Sequence, residues 1–290
     1  MDTPKDTPSS AVLITGASSG IGLELARSFA RRKHRVVLVA RVAAELDALA
    51  AEIRSETGAD AIPLACDLNE PESIERMYDL IAAARLHIDI LVNNAGLGQR
   101  GRFWETPLET DAEMVRVNIA APIQLTKHFL PAMLNQGRGR ILNTASVAGF
   151  EPGPRLAVYH ATKAFLLSFS ESLATELVGT GVTVTALCPG PTDTAFFEKA
   201  EMVDSNAFQK AKVMGPREVA EAGYEALMRG ERVIVPGGLN RMMIAGRHFV
   251  PESVQARKND KLYQDADLES RRREPGDIAA REAARHEASP

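Results

Sequence analysis

The segment from Ala11 to Arg32 constrains this chain more than any other. Ala11-Val12-Leu13-Ile14-Thr15 is an apolar run of strand length. Gly16-Ala17-Ser18-Ser19-Gly20-Ile21-Gly22 follows, and a helical pattern continues to Arg32. A strand that turns through glycines straight into a helix aims backbone N–H groups and a helix N-terminus at one point, where a phosphate binds. The spacing is Gly-x-x-x-Gly-x-Gly, not the Gly-x-Gly-x-x-Gly of the common dinucleotide fingerprint. The flanking strand and helix distinguish it from an ordinary glycine-rich turn.

The same alternation continues along the chain. Strand-like runs occupy Val12–Thr15, Arg35–Ala40, Ala61–Leu64, Ile88–Val92, Gly139–Thr144, Val182–Leu187 and Arg232–Val235. Helix-like stretches lie between them at Ile21–Arg32, Ala43–Glu56, Glu70–Ala83, Asp111–Leu134, Val158–Val178 and Pro216–Arg229. Several strand runs are continuously apolar, as strands are when helices cover both faces of a parallel sheet. This pattern predicts a doubly wound α/β fold. No linker interrupts residues 11–236, so we expect a flexible N-terminus at 1–10 and one nucleotide-binding and catalytic domain at 11–250.

Two regions break the alternation. Pro191 to Gly215 holds Phe196, Phe197, Met202, Phe208 and Met214 among charges. A long excursion after a parallel strand suits a substrate lid, with a short structural helix pair as the other reading. Near the C-terminus, Leu239 to Val250 fits an amphipathic helix bearing Met242, Met243, Ile244, Phe249 and Val250. Residues 251–290 then form a polar extension. Its last ~25 residues bury too little apolar surface to order themselves, which predicts partial disorder or weak helicity. The rival is an arm packed on a partner subunit. Arg271, Arg272 and Arg273 read as a solvated face rather than a ligand site.

Composition excludes several classes. The chain has 290 residues, 45% of them hydrophobic, and a net charge of -4, with no basic excess for nucleic acid or an anionic membrane. Met1 to Ser10 lacks the apolar stretch of a secretory signal, and no apolar run is long enough to span a bilayer. Only Cys66 and Cys188 occur, each at the end of an apolar strand-like run, so buried free thiols are expected rather than a disulfide. A reduced, cytoplasmic protein follows. His34, His87, His128 and His248 show no metal-ligand spacing, and no metal is expected.

Tyr159-His160-Ala161-Thr162-Lys163 carries the chemistry. Residues four apart share a helix face, so Tyr159 and Lys163 can interact. An ammonium beside a phenol favours the phenolate and lowers its pKa, which suits the pair to proton transfer near neutrality. His160 points about 100° away and is expected to be behind the site or exposed.

These pieces together resemble the short-chain dehydrogenase/reductase family, of the single-domain type with Thr-Gly-x-x-x-Gly-x-Gly and Tyr-x-x-x-Lys. The matches stand in the family's order: Thr15 to Gly22, Asp67-Leu68, Asn93-Asn94-Ala95-Gly96, Asn118, Ser146, Tyr159 with Lys163, and Pro189-Gly190. The resemblance runs from about Ala11 to Pro236 and implies a Rossmann-type parallel sheet of seven strands. It implies hydride exchange between a nicotinamide cofactor and a carbonyl or alcohol substrate. Ser146 would then hydrogen-bond the carbonyl, and Tyr159 would donate the proton. Lys163 would hold the nicotinamide ribose, and Asn118 would carry a water link to the lysine. The glycine turn, Gly16, Ser18, Ser19, Gly20, Ile21 and Gly22, would cradle phosphate. Asp67 and Leu68 would meet adenine, and Asn94, Ala95 and Gly96 would line the adenosine side. Pro189 and Gly190 would face nicotinamide, with Thr192 and Thr194 on its carboxamide or the phosphates. Relatives form dimers or tetramers through the two long helices, so a homodimer or homotetramer is expected.

The second strand speaks to cofactor choice. It ends Val39-Ala40-Arg41 and lacks the acid that would bind the ribose 2′-hydroxyl of NAD. Ala40 leaves room, and the planar fork of Arg41 can pair with a 2′-phosphate, which favours NADP(H) over NAD(H). The apolar lid points to a lipophilic ketone or aldehyde. Within enzymes, the alternative is a 3-oxoacyl thioester reductase. Outside them it is a nucleotide-sensing protein without catalysis, a role at odds with the presence of both Tyr159 and Lys163.

Overall fold

A computed structural model describes residues 9–247, 250–278, 280, 281 and 284. Most of the flexible N-terminus expected at 1–10 lies outside these residues, as do His248, Phe249 and the last stretch of the extension, 285–290. Seven parallel strands form one sheet in the order β3-β2-β1-β4-β5-β6-β7. They are β1 Ser9–Thr15, β2 Val36–Ala40, β3 Ala61–Ala65, β4 Leu86–Asn93, β5 Gly139–Thr144, β6 Val182–Leu187 and β7 Val233–Ile234. Val36 to Val39 are all fully buried, so β2 has no solvent face and reads as an unbroken apolar run.

Helices cover both faces. On one lie α1 (Gly20–Arg31), α2 (Ala43–Thr57) and, far along the chain, Pro216–Arg229. Leu25, Phe29, Leu46 and Ile53 pack there against Val12, Ile14 and Leu38. On the other lie α3 (Pro71–Ala83) and two long helices. Ile74, Met77, Leu125, Phe129 and Met133 pack there against Leu13, Leu91 and Ile141. Fully burying each such side chain contributes about 1.5–3 kcal/mol.

The helix expected at Asp111–Leu134 is interrupted. It runs as α4 (Leu108–Val115), a π turn at Arg116–Ala120, and α5 (Ala121–Gln136). Single π turns inside helices recur at functional sites, and this one holds Asn118. The next long helix is α6 (Ala157–Glu176). Residues 191–215 contain two short helices, α7 (Phe196–Lys199) and α8 (Asn206–Gln209), and Pro216–Arg229 is α9. Gly238–Gly246 is α10.

Within the extension at 251–290, Glu252–Tyr263 is a helix, α11. Its inward residues Gln255 and Asn259 are buried but polar, which is why hydrophobic patterning does not reveal it. Gln255 donates to the carbonyls of Arg247 and Val250, and Asn259 donates to Pro152. The chain beyond it runs across the 191–215 region. Arg271 pairs with Asp204 at 3.1 Å, and Arg273 bonds the carbonyls of Phe208 and Ala211. Both carboxylate oxygens of the buried Asp193 accept backbone N–H groups, from Gly276 at 2.9 Å and Ile278 at 2.7 Å.

Candidate active site

The β1–α1 turn closes on itself because it has no side chains where it would collide. Gly16 has φ of 65°, and a Cβ there would lie 2.9 Å from Ala95 Cα. A Cβ on Gly22 would strike the carbonyl oxygen of Gly16. Ser19 precedes α1 in extended backbone, and its hydroxyl makes no capping bond. Ser19 therefore leaves the first N–H groups of α1 without a side-chain cap, the arrangement of an anion-binding helix N-terminus. Asn94 holds the turn from below: its amide donates to the Thr15 carbonyl at 3.0 Å, and Thr144 donates to its Oδ1 at 3.2 Å. The Asn94 side chain is therefore committed to the scaffold.

A cleft of about 700 Å³ opens above the sheet. Gly16, Ser18, Ser19, Gly20 and Ile21 line it, as do Arg41, Asp67 and Leu68 at the ends of β2 and β3. Asn94, Ala95 and Gly96 follow β4, and Pro189, Gly190, Thr192 and Thr194 follow β6. Ser146, Tyr159 and Lys163 line the same cleft. Two residues singled out from the sequence stand behind it. Gly22 packs under the turn, and Asn118 is buried.

Ser146 follows β5 and begins a short 3₁₀ turn, where its Oγ accepts the Ala148 N–H at 3.1 Å. Lys163 is 4% exposed; its Nζ donates to the Thr144 carbonyl at 2.8 Å and sits 5.7 Å from the Tyr159 ring centroid. Burial lowers the Lys163 pKa to about 8, against a smaller upward pull from Cys188. Burial pushes the Tyr159 phenol up to about 12, and a hydrogen bond with Ser146 acts against it. The downward pull on Tyr159 expected from Lys163 is not what sets its pKa: desolvation dominates at both groups, penalising each charged form, and the one group that acts against it at Tyr159 is Ser146.

Asn118 is a clamp. Its Oδ1 accepts the Leu97 N–H at 2.8 Å, and its Nδ2 donates to the Leu97 carbonyl at 2.9 Å and to Thr162 Oγ1 at 3.0 Å. Thr162 in turn donates to the Tyr159 carbonyl at 2.8 Å. The chain after β4 is thereby tied to the helix that carries Tyr159 and Lys163. A buried relay, Asn93 to Asn143 at 2.9 Å and Asn143 to Ser170 at 2.8 Å, ties the same helix to β4 and β5. Thr162, Asn143 and Ser170 carry no sequence signal, because each acts through a partner distant in the chain.

Arg41 reaches the cleft with its side chain 57% exposed and pairs with Glu113 at 3.6 Å. Asp67 accepts the Asn69 N–H at 2.9 Å in a tight turn. The far wall is apolar, with Leu156, Phe196, Phe197 and Met202, and Leu262 and Tyr263 from α11 complete it. Neither Leu262 nor Tyr263 is marked in the sequence as a cleft residue. His160 is buried between Glu151 and Tyr263. Cys66 and Cys188 are free and buried. Among the described residues, no helix is long and apolar enough to cross a membrane.

Comparison with known proteins agrees with this geometry. A family model described as short chain dehydrogenase matches residues 10–203. The ketoacyl reductase HetN of Nostoc sp. is 30% identical over 262 residues, 87% of this chain and 88% of that protein. A short-chain dehydrogenase from Sphingobium yanoikuyae in complex with NADPH superposes with a TM-score of 0.74 at 35% identity, covering 89% of this chain and 99% of that one. The bulky-bulky ketone specific alcohol dehydrogenase from Comamonas testosteroni gives a TM-score of 0.69 at 32% identity, over 84% and 94%. Glycine turn, cleft and matched span together make this chain a member of the short-chain dehydrogenase family of oxidoreductases.

Proposed function

We propose that the cleft exchanges a hydride between NADP(H) and a carbonyl or alcohol substrate, with Tyr159 giving and taking the proton. The observation that carries this reading is that Ser146, Tyr159 and Lys163 share one cleft with the open N-terminus of α1. The chain's residues fit a dinucleotide: Gly16 and Gly22 let the turn close tightly against Asn94 and Ala95, and Ser18, Ser19, Gly20 and Ile21 border the space a pyrophosphate would take. When bound, the nicotinamide supplies or accepts the hydride. Arg41 would hold the 2′-phosphate, Asp67 and Leu68 the adenine, and Lys163 the ribose beside Pro189, Gly190, Thr192 and Thr194. Residues 11–250 would act as one binding and catalytic unit.

With its pKa at about 12, Tyr159 carries its proton at neutral pH and is ready to act as an acid. Ser146 orients the carbonyl oxygen toward it. As the proton moves from Tyr159 Oη to the substrate oxygen, charge appears on the phenolate. Ser146 and the Lys163 ammonium oppose that charge, offsetting part of the desolvation. Asn118 and Thr162 hold the helix turn that sets the geometry.

The apolar wall of Leu156, Phe196, Phe197 and Met202 favours a lipophilic ketone or aldehyde. A second reading, 3-oxoacyl thioester reduction, draws support from the HetN relative and from Lys199, Lys212 and Lys258 at the cleft's edge, which would suit an anionic carrier. A homodimer or homotetramer would form through the helices at 108–136 and 157–176.

The test follows absorbance at the nicotinamide band with NADPH and NADH against ketones, aldehydes and a 3-oxoacyl thioester. Turnover of lipophilic ketones with NADPH is expected. Preference for the thioester would select the second reading, and no turnover with any carbonyl would overturn both. Light scattering reads the oligomeric state.

A further inference from the structure

Tyr263 and His160 lie in the cleft but have no part in the proton transfer described above. We propose that they form a second recognition point, which selects substrates bearing a hydroxyl group remote from the reacting carbonyl. This rests on the reading of the cleft as a carbonyl-reducing site.

The hydrogen positions follow from the partners. His160 Nδ1 lies 2.7 Å from the carbonyl oxygen of Glu151. A carbonyl only accepts, so Nδ1 carries a hydrogen. His160 is 4% exposed, and burial lowers its pKa below the ordinary histidine value. The ring is then neutral at neutral pH, and Nε2 holds a lone pair. Tyr263 Oη lies 2.9 Å from that nitrogen and donates to it. Burial and the neighbouring Tyr159 and Glu151 push the Tyr263 pKa up, so the phenol keeps this hydrogen. A hydroxyl whose one hydrogen is committed presents only lone pairs. Tyr263 thus offers the cleft an acceptor without a donor.

The other groups nearby leave that acceptor open. Asn259, on the same helix, spends its amide on Glu151 Oε2 at 3.1 Å and the Pro152 carbonyl at 3.0 Å. Lys258 lies about 140° around the helix from Tyr263. Tyr159, the remaining phenol beside it, serves the reacting oxygen in the reading above. A substrate hydroxyl is a donor that complements the site. A bound ketone lacking it would cover this half-buried acceptor and leave it unsatisfied, which costs about tenfold in binding.

The experiment compares methyl alkyl ketones with their terminal hydroxy counterparts of increasing chain length, in wild type and Tyr263→Phe. Phenylalanine keeps the ring and removes the acceptor. In wild type, kcat/KM should favour the hydroxyketone by about tenfold at the chain length that spans the cleft, mostly through KM. In Tyr263→Phe that ratio should fall to about one. A wild-type ratio near one at every length, or an equal ratio in the two proteins, would overturn the inference. The equal ratio includes the case in which both substrates lose alike, which would mark Tyr263 as structural. If wild type reduces no ketone, the proposed function fails by itself. The inference is then decided by calorimetric dissociation constants of alkanols and the matching diols, with and without NADP. A diol preference that Tyr263→Phe abolishes supports it, and equal affinities overturn it.

Discussion

On the glycine-turn side of the cleft, backbone does most of the building: Gly16 and Gly22 let the turn pack tightly, and the first turn of α1 lines the cleft. On the side built by residues 191–215 and the C-terminal extension, side chains do it across long stretches of chain. Arg100 bonds Asp265 at 2.7 Å, Asp193 holds Gly276 and Ile278, and Tyr263 meets His160. The first construction depends on residue type at fixed local spacing. The second depends on which distant segments the fold happens to bring together. The two sides should therefore respond differently to substitution.

The largest effect is expected where the two sides meet. Tyr159→Phe keeps the ring and removes the proton. Turnover should fall by roughly 10²–10⁴-fold while cofactor dissociation constants hold. Turnover within about threefold of wild type would refute its role as the acid.

Lys163 gives a pH signature with two parts. Its folded pKa of about 8 lies below the ordinary lysine value of 10.5. Between those values the unfolded chain binds more protons, so this group makes the protein more stable as pH rises through the window. Below about 8 the full desolvation cost is present. Lys163→Met should therefore raise stability at pH 7 by about 1–3 kcal/mol, read as a higher Tm. Wild-type carbonyl reduction should decline as pH rises through about 8, because the charge opposing the phenolate is lost. The neighbouring Cys188 thiol, pushed up to about 12, stays neutral across this range. Unchanged Tm, or a limb that survives in the variant, would remove Lys163 from the account.

Arg41 tests the glycine-turn side alone. A charge-assisted bond to a 2′-phosphate is worth about 1.5–3 kcal/mol, and the exposed pair with Glu113 that it would replace about 0–1. NADPH should bind about 10- to 100-fold more tightly than NADH. Arg41→Ala should erase most of that gap, and Ala40→Asp should reverse it. An unaltered ratio of dissociation constants would mean that Arg41 serves only Glu113.

The smallest effect sharpens the contrast. Asp193→Asn weakens two charge-assisted bonds to the strap at 276–278. KM for the carbonyl should rise several-fold, roughly 1 kcal/mol, with cofactor affinity unchanged. A cofactor dissociation constant that moves in parallel would show that the two sides are one mechanical unit.

Much of the fold was legible in the sequence for the same physical reason. The seven strands and the long helices bury one apolar face or two, and that periodicity is local. Of the candidate site residues, Ser146, Tyr159 and Lys163 lie together as their spacing and strand ends suggested. Asn118 could be placed on its helix, but not its grip on Leu97. Helix α11 and the strap escaped because their contacts are polar. Asn259, Arg271 and Arg273 gain their places through hydrogen bonds to carbonyls and carboxylates far away along the chain, and Gln255 through the carbonyl of Val250 just ahead of its helix. Composition registers only their polarity.

The strap has a consequence for vectorial synthesis. Domains fold as they leave the ribosome, at about 5–20 residues per second. The sheet is complete once β7 at Val233–Ile234 has emerged. Asp193 is made more than 80 residues before the two backbone groups that bond it, those of Gly276 and Ile278. A nascent chain stalled between those points would carry the whole glycine turn and a cleft wall still missing its C-terminal strap. Nucleotide capture would thus precede substrate selectivity in the life of each molecule.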